Sequence, residues 1–315
     1  YEFSKNFRNE GMDRTHNPEF TAMEIYVAYK DYNWMMDFTE ELLESCAVSV
    51  NGETSSQFGE HKIEWKAPYP RITMRQSIID FTGFDIDSKS EEELYAFAKA
   101  EGIEVNATMG KGKLIDEIFG AKCEGQYIQP TFITDYPKEM SPLCKQHRDN
   151  PELTERFELM VCGKEIANAY SELNDPIDQR ERFEAQVALA DRGDDEAMLI
   201  DQDFLRALEY GMPPTSGLGI GMDRLIMYLT NNPSIQEVLF FPQMKPENTN
   251  TIALNEDEQQ VFDLLTKSGK IELTALKDLT GLSGKKWDKS MKALTKHGLT
   301  KVNKTDDGLF VELTS

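Results

Sequence analysis

A chain of 315 residues, 39% hydrophobic and 29% charged, is long enough for two globular domains, and it has no apolar run near the roughly 18 residues of a membrane span. Its net charge of −22 argues against binding nucleic acid through the surface as a whole, because such a field repels phosphates at long range. The excess acid lies before Asn255, since the residues from there onward carry ten Lys and ten acidic side chains.

The first thirty residues are predicted to form two strands joined by a long loop. Gly11–Pro18 is rich in Gly, Asp, His and Asn, which is typical of a loop. Side chains two apart share a face of a strand, which pairs Arg8 with Glu10 before the loop and Glu24 with Tyr26 after it. An Arg suited to bidentate contact with phosphate or carboxylate, set beside acids, indicates a site for a charged substrate. The alternative is a surface hairpin with ordinary ion pairs.

Hydrophobic periodicity predicts the next elements of the chain. Helices are expected at 34–47 (capped by Asn33), 73–81, 90–98, 113–119, 176–192 and 202–209, and strands at 126–133, 156–161 and 165–172, with a polar hairpin at 48–68. Residues from about 83 to 125 look like a helical insertion, in which Gly110–Lys113 lacks the spacing of a phosphate loop and is predicted to be a flexible turn. Antiparallel strands interrupted by helices predict an α+β fold.

The cysteines Cys46, Cys123, Cys144 and Cys162 are scattered along the chain. Cys144 and His147 have the spacing of two metal ligands, but no second pair accompanies them, so a structural zinc site is disfavoured. Unpaired cysteines suit a reducing cytoplasm.

Two acidic strands carry a second group of candidate residues. Asn168, Tyr170 and Glu172 are expected on one face of a strand. Glu158 and Glu165 are far enough apart to lie on adjacent strands and hold a hard cation between them. The alternative is a solvated acidic strand.

A glycine-rich stretch, Pro213–Leu225, is the third candidate. Its glycines do not match a dinucleotide-binding fingerprint and favour a strand that lets a flat ligand approach the backbone. Arg224 is predicted to begin the following helix. A strand that only packs in the core is the alternative interpretation.

Phe7–Thr21 resembles motif 2 of the class II aminoacyl-tRNA synthetases, and of the lysyl enzymes in particular. Glu165–Asp175 resembles the segment before motif 3, and Pro213–Leu225 resembles motif 3. The family often has Gly where Ala167 and Ala169 stand, and we expect their methyl groups to tighten the floor of the amino-acid pocket. The resemblance covers roughly residues 1–246 and implies an antiparallel sheet of six to seven strands flanked by helices. It also implies that Phe240–Met244 closes the core.

The resemblance further implies a lysine–tRNA ligase that uses ATP and Mg²⁺ and acts on tRNA(Lys) in the cytoplasm as a homodimer. Carried over by motif, ATP would be held by Arg8, Glu10, His16, Asn17, Phe20, Glu158 and Arg224, with Arg8 and Arg224 catalytic. Lysine would be held by Glu24, Tyr26, Asn168, Tyr170 and Glu172, and Mg²⁺ by Glu158 and Glu165. Two carboxylates around one ammonium suit lysine and argue against the aspartyl and asparaginyl enzymes.

Two parts of the family pattern are missing: motif 1, which builds the dimer interface, and the anticodon-binding domain. The chain begins at Tyr1 in strand-like sequence, so we expect a fragment that consists of a catalytic core, residues 1–250, and an extension. We expect this fragment to be impaired in dimerisation and to have low activity. The alternatives are a non-catalytic synthetase paralogue and a lysine ligase with a protein acceptor.

Residues 255–315 are predicted to form a winged-helix-like domain of three helices and a hairpin turned at Asp306–Asp307. The helices are expected at 258–267, from a cap at Thr274 to Leu279, and from a cap at Ser283 to His297. The third carries an apolar stripe and a lysine stripe, Lys285, Lys289, Lys292 and Lys296. The lysines indicate either an RNA contact or the solvated face of a docking domain, and both interpretations stand at this point.

Overall fold

A computed structural model describes residues 1–9, 11–106, 108–190, 200–243, 254–305 and 308–314. The chain divides into two compact units, Tyr1–Met244 and Lys245–Ser315. None of the described helices is long and apolar enough to cross a membrane.

The strands of the first unit are β1 (Glu2–Phe7), β2 (Glu19–Ala28), β3 (Ser55–Phe58), β4 (His61–Glu64), β5 (Arg71–Thr73), β6 (Thr131–Thr134), β7 (Arg156–Val161), β8 (Lys164–Ser171) and β9 (Thr215–Gly221). Its helices are α1 (Tyr32–Asn51), α2 (Met74–Thr82), α3 (Glu91–Ala100), α4 (Lys111–Lys122), α5 (Pro176–Ala190), α6 (Gln202–Tyr210) and α7 (Met222–Thr230).

Seven strands form one sheet in the order β1-β2-β9-β8-β7-β6-β5. Neighbouring strands are antiparallel except for the parallel pair of β5 and β6. The predicted α+β class, with an antiparallel sheet of six to seven strands flanked by helices, is therefore confirmed.

The alternation of side chains along the central strands gives the sheet one apolar and one polar face. Phe157 and Leu159 of β7 and Leu218 and Ile220 of β9 are buried in a core that includes α1 and α7. The residues between them point to the opposite face, because successive side chains of a strand alternate. The polar residues of β2, β7 and β8 are thereby presented together on the open side of the sheet.

Alternation also corrects the expectation for Ala167 and Ala169. Both methyl groups lie in the core, at 1% and 0% exposure, rather than in the floor of the open face. They flank Asn168, so a strand that presents the Asn168 side chain to the open face must direct its neighbours inward. The two alanines fill the space beneath the site.

The insertion packs against α2, β6 and β7 in a second core, to which α2, α3 and α4 contribute Ile78, Leu94 and Leu114. The predicted capping box of Ser90 and Glu93 is present. The predicted flexible turn at Gly110–Lys113 is wrong, because α4 begins at Lys111.

A contact distant in sequence explains why α4 begins early. The backbone N–H of Gly112 donates to the carboxylate of Glu139 at 2.7 Å, which satisfies one of the free donors of the first turn. A Cβ atom at position 112 would lie 2.9 Å from the Glu139 Cβ, so glycine permits this approach.

Several other predictions are wrong, among them the strand expected at 126–133, which begins at Thr131. Helix α1 begins at Tyr32, two residues early, because Asp31 rather than Asn33 accepts the capping hydrogen bond, from the Trp34 N–H at 3.1 Å. Phe240 and Phe241, expected to close the core as part of Phe240–Met244, do not do so, since they are 97% and 94% exposed. Met244 lies outside the described residues. The apolar contacts end one residue earlier, at Val238 and Leu239, which pack against the main core.

The second unit contains α8 (Glu256–Ser268), β10 (Ile271–Glu272), α9 (Leu273–Thr280), α10 (Gly284–Lys296), β11 (Thr300–Thr305) and β12 (Gly308–Leu313). Its three strands pair in the order β10-β12-β11, and its core is formed by Val261, Leu265, Leu276, Trp287, Met291, Leu294 and Val311. This is the predicted winged-helix-like arrangement. The short strand β10 was not predicted, and it moves the start of α9 to Leu273, so Thr274 is not the cap. The turn residues Asp306 and Asp307 lie outside the described part of the chain.

Candidate active site

The open face of the sheet forms the floor of a cleft of about 600 Å³. Most of the candidate residues line it: Arg8, His16, Asn17, Phe20, Glu24, Tyr26, Glu165, Asn168, Tyr170, Glu172 and Arg224. Glu10 lies outside the described residues, and Glu158 is not among the lining residues. Three stretches far apart in sequence are therefore brought to one place.

The pairing of β2, β9 and β8 fixes two rows across the cleft floor. Tyr26 pairs with Gly217, which pairs with Tyr170 on its other side. In the next row, Glu24 pairs with Gly219, which pairs with Asn168. A glycine thus separates the polar side chains in each row and leaves the space above β9 open.

Gly217 has no room for a side chain. A Cβ atom there would lie 2.0 Å from the Glu172 Oε1 and 2.9 Å from the Tyr26 Cε1. At Gly219 the nearest atom to such a Cβ would be the Asn168 carbonyl oxygen, at 3.9 Å, which is an ordinary contact. Gly217 is therefore the residue that lets the Glu172 carboxylate lie on the cleft floor.

Glu24 and Glu172 place two carboxyl groups around Tyr26. The Tyr26 hydroxyl donates to Glu24 Oε2 at 3.1 Å. Burial, together with the negative charge of Glu24, raises the pKa of Glu172 to about 8. Within the described part of the chain, neither carboxylate forms an ion pair with a basic side chain. The arrangement favours a cation between the two carboxyl groups.

The hairpin of β1 and β2 brings a guanidinium next to an aromatic ring, with Arg8 just after β1 and Phe20 in β2. The Cζ atom of Arg8 lies 5.2 Å from the centre of the Phe20 ring. Asp13 orders the loop, because its Oδ1 accepts from the Thr15 and His16 backbone N–H groups, each at 2.7 Å. A hydrogen bond with the His16 side chain, strengthened by these backbone donors, holds the pKa of Asp13 well below its ordinary value. These hydrogen bonds hold the Asp13–His16 turn, from which Thr15 and His16 line the cleft.

Asn17 and Asp223 have structural roles in the same region. The Asn17 side-chain amide is buried and donates to the Glu19 carbonyl oxygen at 2.6 Å. Asp223, which the sequence interpretation missed, accepts from the Thr21 backbone N–H at 2.6 Å and so fastens β2 to α7. Nothing in the sequence pattern beyond its place next to Arg224 pointed to Asp223.

Arg224 lies in the first turn of α7 and reaches the opposite side of the cleft. Its guanidinium donates to the Glu165 carbonyl oxygen. Its Nε is buried and has no hydrogen-bond partner among the described residues. An unpaired buried donor is costly, so the described contacts do not fully satisfy the Arg224 guanidinium.

Glu158 and Glu165 come from adjacent strands, as expected. Burial and the charge of Glu165 raise the pKa of Glu158 above its ordinary value, while Arg156 opposes that change. Within the described residues no group of three or more His, Cys, Asp or Glu side chains is placed to hold a metal ion. A cation between Glu158 and Glu165 stays a prediction. The described cysteines are all free.

The sequence interpretation missed Arg156. Its guanidinium forms an ion pair with Glu158 at 2.5 Å, and both side chains are only 14% exposed. Arg156 Nε also donates to Asn168 Oδ1 at 3.2 Å. The two-residue spacing of Arg156 and Glu158 in β7 was the available signal, because it puts both on the polar face. Lys164 and Glu124, which pair at 3.4 Å at the edge of the cleft, were also missed.

Sequence comparisons with known proteins identify the family of this chain. The family model for class II tRNA synthetases (D, K and N) matches residues 1–245. A protein of Christiangramia forsetii named lysine–tRNA ligase is 72% identical over 314 residues, which is 100% of this chain and 55% of that protein. Proteins of that name from Porphyromonas gingivalis and Azobacteroides pseudotrichonymphae are 73% and 66% identical over 247 residues, 78% of this chain and 43% and 49% of theirs. The chain spans about half the length of these relatives.

Proposed function

Because the chain belongs to the class II tRNA synthetases of the D, K and N type, we propose that it carries the catalytic core of a lysine–tRNA ligase. Such an enzyme joins lysine to AMP and then transfers the lysine to the 3′ end of tRNA(Lys). In this proposal residues 1–250 form the catalytic domain, with a helical insertion at about 83–125, and residues 255–315 form an extension.

The observation that carries the choice of lysine is the pair of carboxyl groups around Tyr26. Glu24 and Glu172 lack a basic partner among the described residues. Burial and the negative charge of Glu24 raise the pKa of Glu172. The ε-ammonium of lysine would supply the positive charge. Aspartate would bring a third carboxylate and asparagine would bring no charge, so this pocket suits neither of the other two amino acids of the family.

Lysine would lie with its carboxylate toward Asn168 and its ammonium toward Glu172. Tyr170 would cover the aliphatic part of the substrate, because it lines the cleft beside Gly217. Arg156 would not contact the substrate in this arrangement. It donates to Asn168 Oδ1, which leaves the Asn168 Nδ2 hydrogens to donate to the substrate carboxylate.

ATP would lie across the β1–β2 loop and α7. Arg8 would bridge the lysine carboxylate and the α-phosphate, which a forked guanidinium can do with two parallel hydrogen bonds. Phe20 would stack on adenine, and Arg224 would cover the other face of the ring and reach the γ-phosphate. The residues left to position the adenosine and the triphosphate are Glu10, His16 and Asn17.

The first chemical step forms a bond between a lysine carboxylate oxygen and the α-phosphorus and breaks the bond to the β-phosphate oxygen, giving lysyl-adenylate and pyrophosphate. A hydroxyl of the terminal tRNA ribose then attacks the lysyl carbonyl and AMP leaves. The protein would contribute positioning and charge stabilisation, in which Arg8 and Arg224 meet the negative charge of the phosphates.

Glu158 and Glu165 would hold Mg²⁺ together with the phosphate oxygens of ATP. Mg²⁺ usually binds to one or two carboxylates together with substrate phosphates. Glu158 and Glu165 would supply the two carboxylates, and burial together with the charge of Glu165 raises the pKa of Glu158. The ion would neutralise phosphate charge in the complex. Arg156 is placed to compensate Glu158 when the ion is not bound.

We further propose a homodimer that works in the cytoplasm. Strand β1 is an edge strand of the sheet, and its Phe3 and Phe7 are 56% and 70% exposed. An edge strand with exposed aromatic side chains supports contact with a further chain or segment.

Amino-acid-dependent ATP–pyrophosphate exchange on the full-length protein tests the proposal. Lysine should support exchange, whereas aspartate, asparagine and arginine should not. Transfer of labelled lysine to a tRNA(Lys) transcript should follow. Exchange with aspartate or asparagine, or no exchange with any of the four, would overturn the proposal, and exchange without transfer to tRNA would indicate another acceptor.

A further inference from the structure

Helix α10 of the second unit carries a row of lysines that takes no part in the proposed chemistry. Trp287, Met291 and Leu294 of this helix are 5%, 9% and 0% exposed and face the core of the unit. The lysines recur every three or four residues on the opposite side, and all are exposed. We call this set the α10 lysine face: Lys285, Lys289, Lys292 and Lys296.

The unit is neutral as a whole, but its charges are segregated. Helix α10 contains five Lys and one Asp. The remaining residues from Asn255 to the end contain five Lys and nine acidic residues. The unit therefore has one strongly positive side in a chain whose net charge is −22.

The lysines of this face are not used in ion pairs within the described part of the chain. Lys286, which lies beside the face rather than on it, pairs with Asp257 at 3.0 Å and links α10 to α8. No comparable pair forms at the other four lysines in the described residues. Four positive charges are thus left facing solvent, although acidic side chains are abundant in the same unit.

The position of α10 in the fold also matters. It is the third helix of a winged-helix-like unit and is followed by the β11–β12 hairpin. In helix-turn-helix proteins the helix that follows the turn presents its exposed side to nucleic acid. This likeness is one of fold, so the partner has to be argued from the chemistry of the face.

We propose that the α10 lysine face binds the phosphate backbone of RNA. Lysine is a point charge well suited to phosphate, whereas lysine is depleted in protein–protein interfaces. The centres of such interfaces are rich in Trp, Tyr and Arg. Helix α10 contains neither Tyr nor Arg, and Trp287 is in the core. The composition of the face therefore favours a nucleic acid over an acidic protein surface.

The proposal gives the acidic chain a local site for a polyanion. It rests on the proposed function only for the choice of tRNA as the probe, and no ATP or lysine is needed to test it. The C. forsetii relative is matched over this unit, whereas the alignments to the P. gingivalis and A. pseudotrichonymphae proteins cover 247 residues of the chain. The RNA contact is thus an addition to the catalytic core and not part of it.

The test compares two triple variants of the full chain with equal loss of charge in the same unit. One is Lys289→Gln, Lys292→Gln and Lys296→Gln, on the α10 lysine face. The control is Lys267→Gln, Lys270→Gln and Lys277→Gln, which are exposed and lie outside α10. Fluorescence anisotropy measures binding of a labelled tRNA(Lys) transcript and of a second, unrelated tRNA transcript at several salt concentrations.

The variant on the α10 lysine face should bind both transcripts at least about tenfold more weakly at low salt, and its plot of log Kd against log salt should be flatter by about two units. The control should bind like the unmodified chain, and both variants should keep the melting temperature. Equal effects of the two triple variants, or no effect of either, would overturn the proposal. Binding of poly-glutamate with the same affinity as tRNA, lost in the same variant, would also overturn it by assigning the face to an acidic protein.

Discussion

At residue scale, the amino-acid pocket depends on the absence of a side chain at one position. Gly217 lies between Tyr26 and Tyr170 in the paired strands, and the Glu172 carboxylate occupies the place where its side chain would be. The same strand offers Gly219, where a methyl group would meet nothing closer than 3.9 Å. Gly217 is therefore required for the position of the Glu172 carboxylate, whereas the contacts at Gly219 leave room for a methyl group.

We expect Gly217→Ala to weaken lysine binding strongly and Gly219→Ala to have a small effect. At position 217 the new methyl group would displace the Glu172 carboxylate or the Tyr26 ring, because the distances of 2.0 and 2.9 Å are too short for contact. Calorimetric titration with lysine measures the affinity, and thermal melting shows that both variants are folded. Equal lysine affinities in the two variants would remove Gly217 from the pocket.

Glu172 should make lysine binding release a proton. Its pKa of about 8 means that the carboxyl group is largely protonated at pH 7 in the free protein. An ammonium beside it favours the charged form, so binding expels the proton, and affinity should rise with pH until about pH 8. Titration at pH 7 in buffers of different ionisation enthalpy should give a release approaching one proton per lysine.

Glu172→Gln separates this effect from other titrating groups. The variant should raise the KM for lysine by a large factor, because loss of one partner of a buried charge pair costs about 3–5 kcal/mol, while the KM for ATP changes little. Its proton release should disappear. Glu124→Gln, a change at the edge of the cleft next to Lys164, is the matched control and should leave the KM for lysine and the proton release as they are.

At element scale, helix α4 shows how a contact outside a helix decides its start. Its sequence places glycines at 112 and 120, and glycine weakens a helix by roughly 0.5–1 kcal/mol relative to alanine. Gly112 packs on Glu139, whereas a Cβ at Gly120 would have only the Glu124 Oε2 near it, at 3.8 Å.

Gly120→Ala should therefore raise the free energy of unfolding by about 0.5–1 kcal/mol. Gly112→Ala should lower it, since the new methyl group would be 2.9 Å from the Glu139 Cβ and would disturb the hydrogen bond to the Glu139 carboxylate. Urea unfolding of the two variants measures both changes. A stabilisation by Gly112→Ala equal to that by Gly120→Ala would show that the contact with Glu139 does not restrain the helix start.

Strand β9 shows at the same scale what a pattern can predict. Its glycines alternate with Leu218 and Ile220, so one face is apolar and the other is bare. Alternation predicted the strand and the close approach of a ligand to it. The pattern said nothing of the neighbours β2 and β8, and these supply Tyr26 and Tyr170.

At the scale of the whole molecule, each of the two units has a core made of its own residues. The main core and the core of the insertion lie in the first unit, and the core around Trp287 lies in the second. A unit with a separate core can fold independently.

Removal of residues 245–315 should consequently leave the lysine affinity of the first unit unchanged within about twofold, because none of the described residues of the second unit lines the cleft. Calorimetric titration with lysine on the shortened and the complete chain measures this. A loss of more than tenfold in affinity, with the shortened chain still folded, would show that the second unit supports the lysine site.

The sequence by itself determined the fold class, most of the elements and most of the candidate residues that the structure brings to the cleft. Hydrophobic periodicity and alternation are local properties, so they can be read from short stretches. The resemblance to the family motifs added the expectation that three separate stretches come together in one site. The candidate residues Arg8, Glu24, Glu172 and Arg224 were all found in this way and lie in one cleft.

Only the tertiary structure decided which groups compensate one another. The hydrogen bond from Arg156 to Asn168 and the contact of Gly217 with Glu172 join separate segments of the chain, and they depend on strand order and register. These features arise from distances between residues far apart in the chain, which side-chain periodicity does not encode.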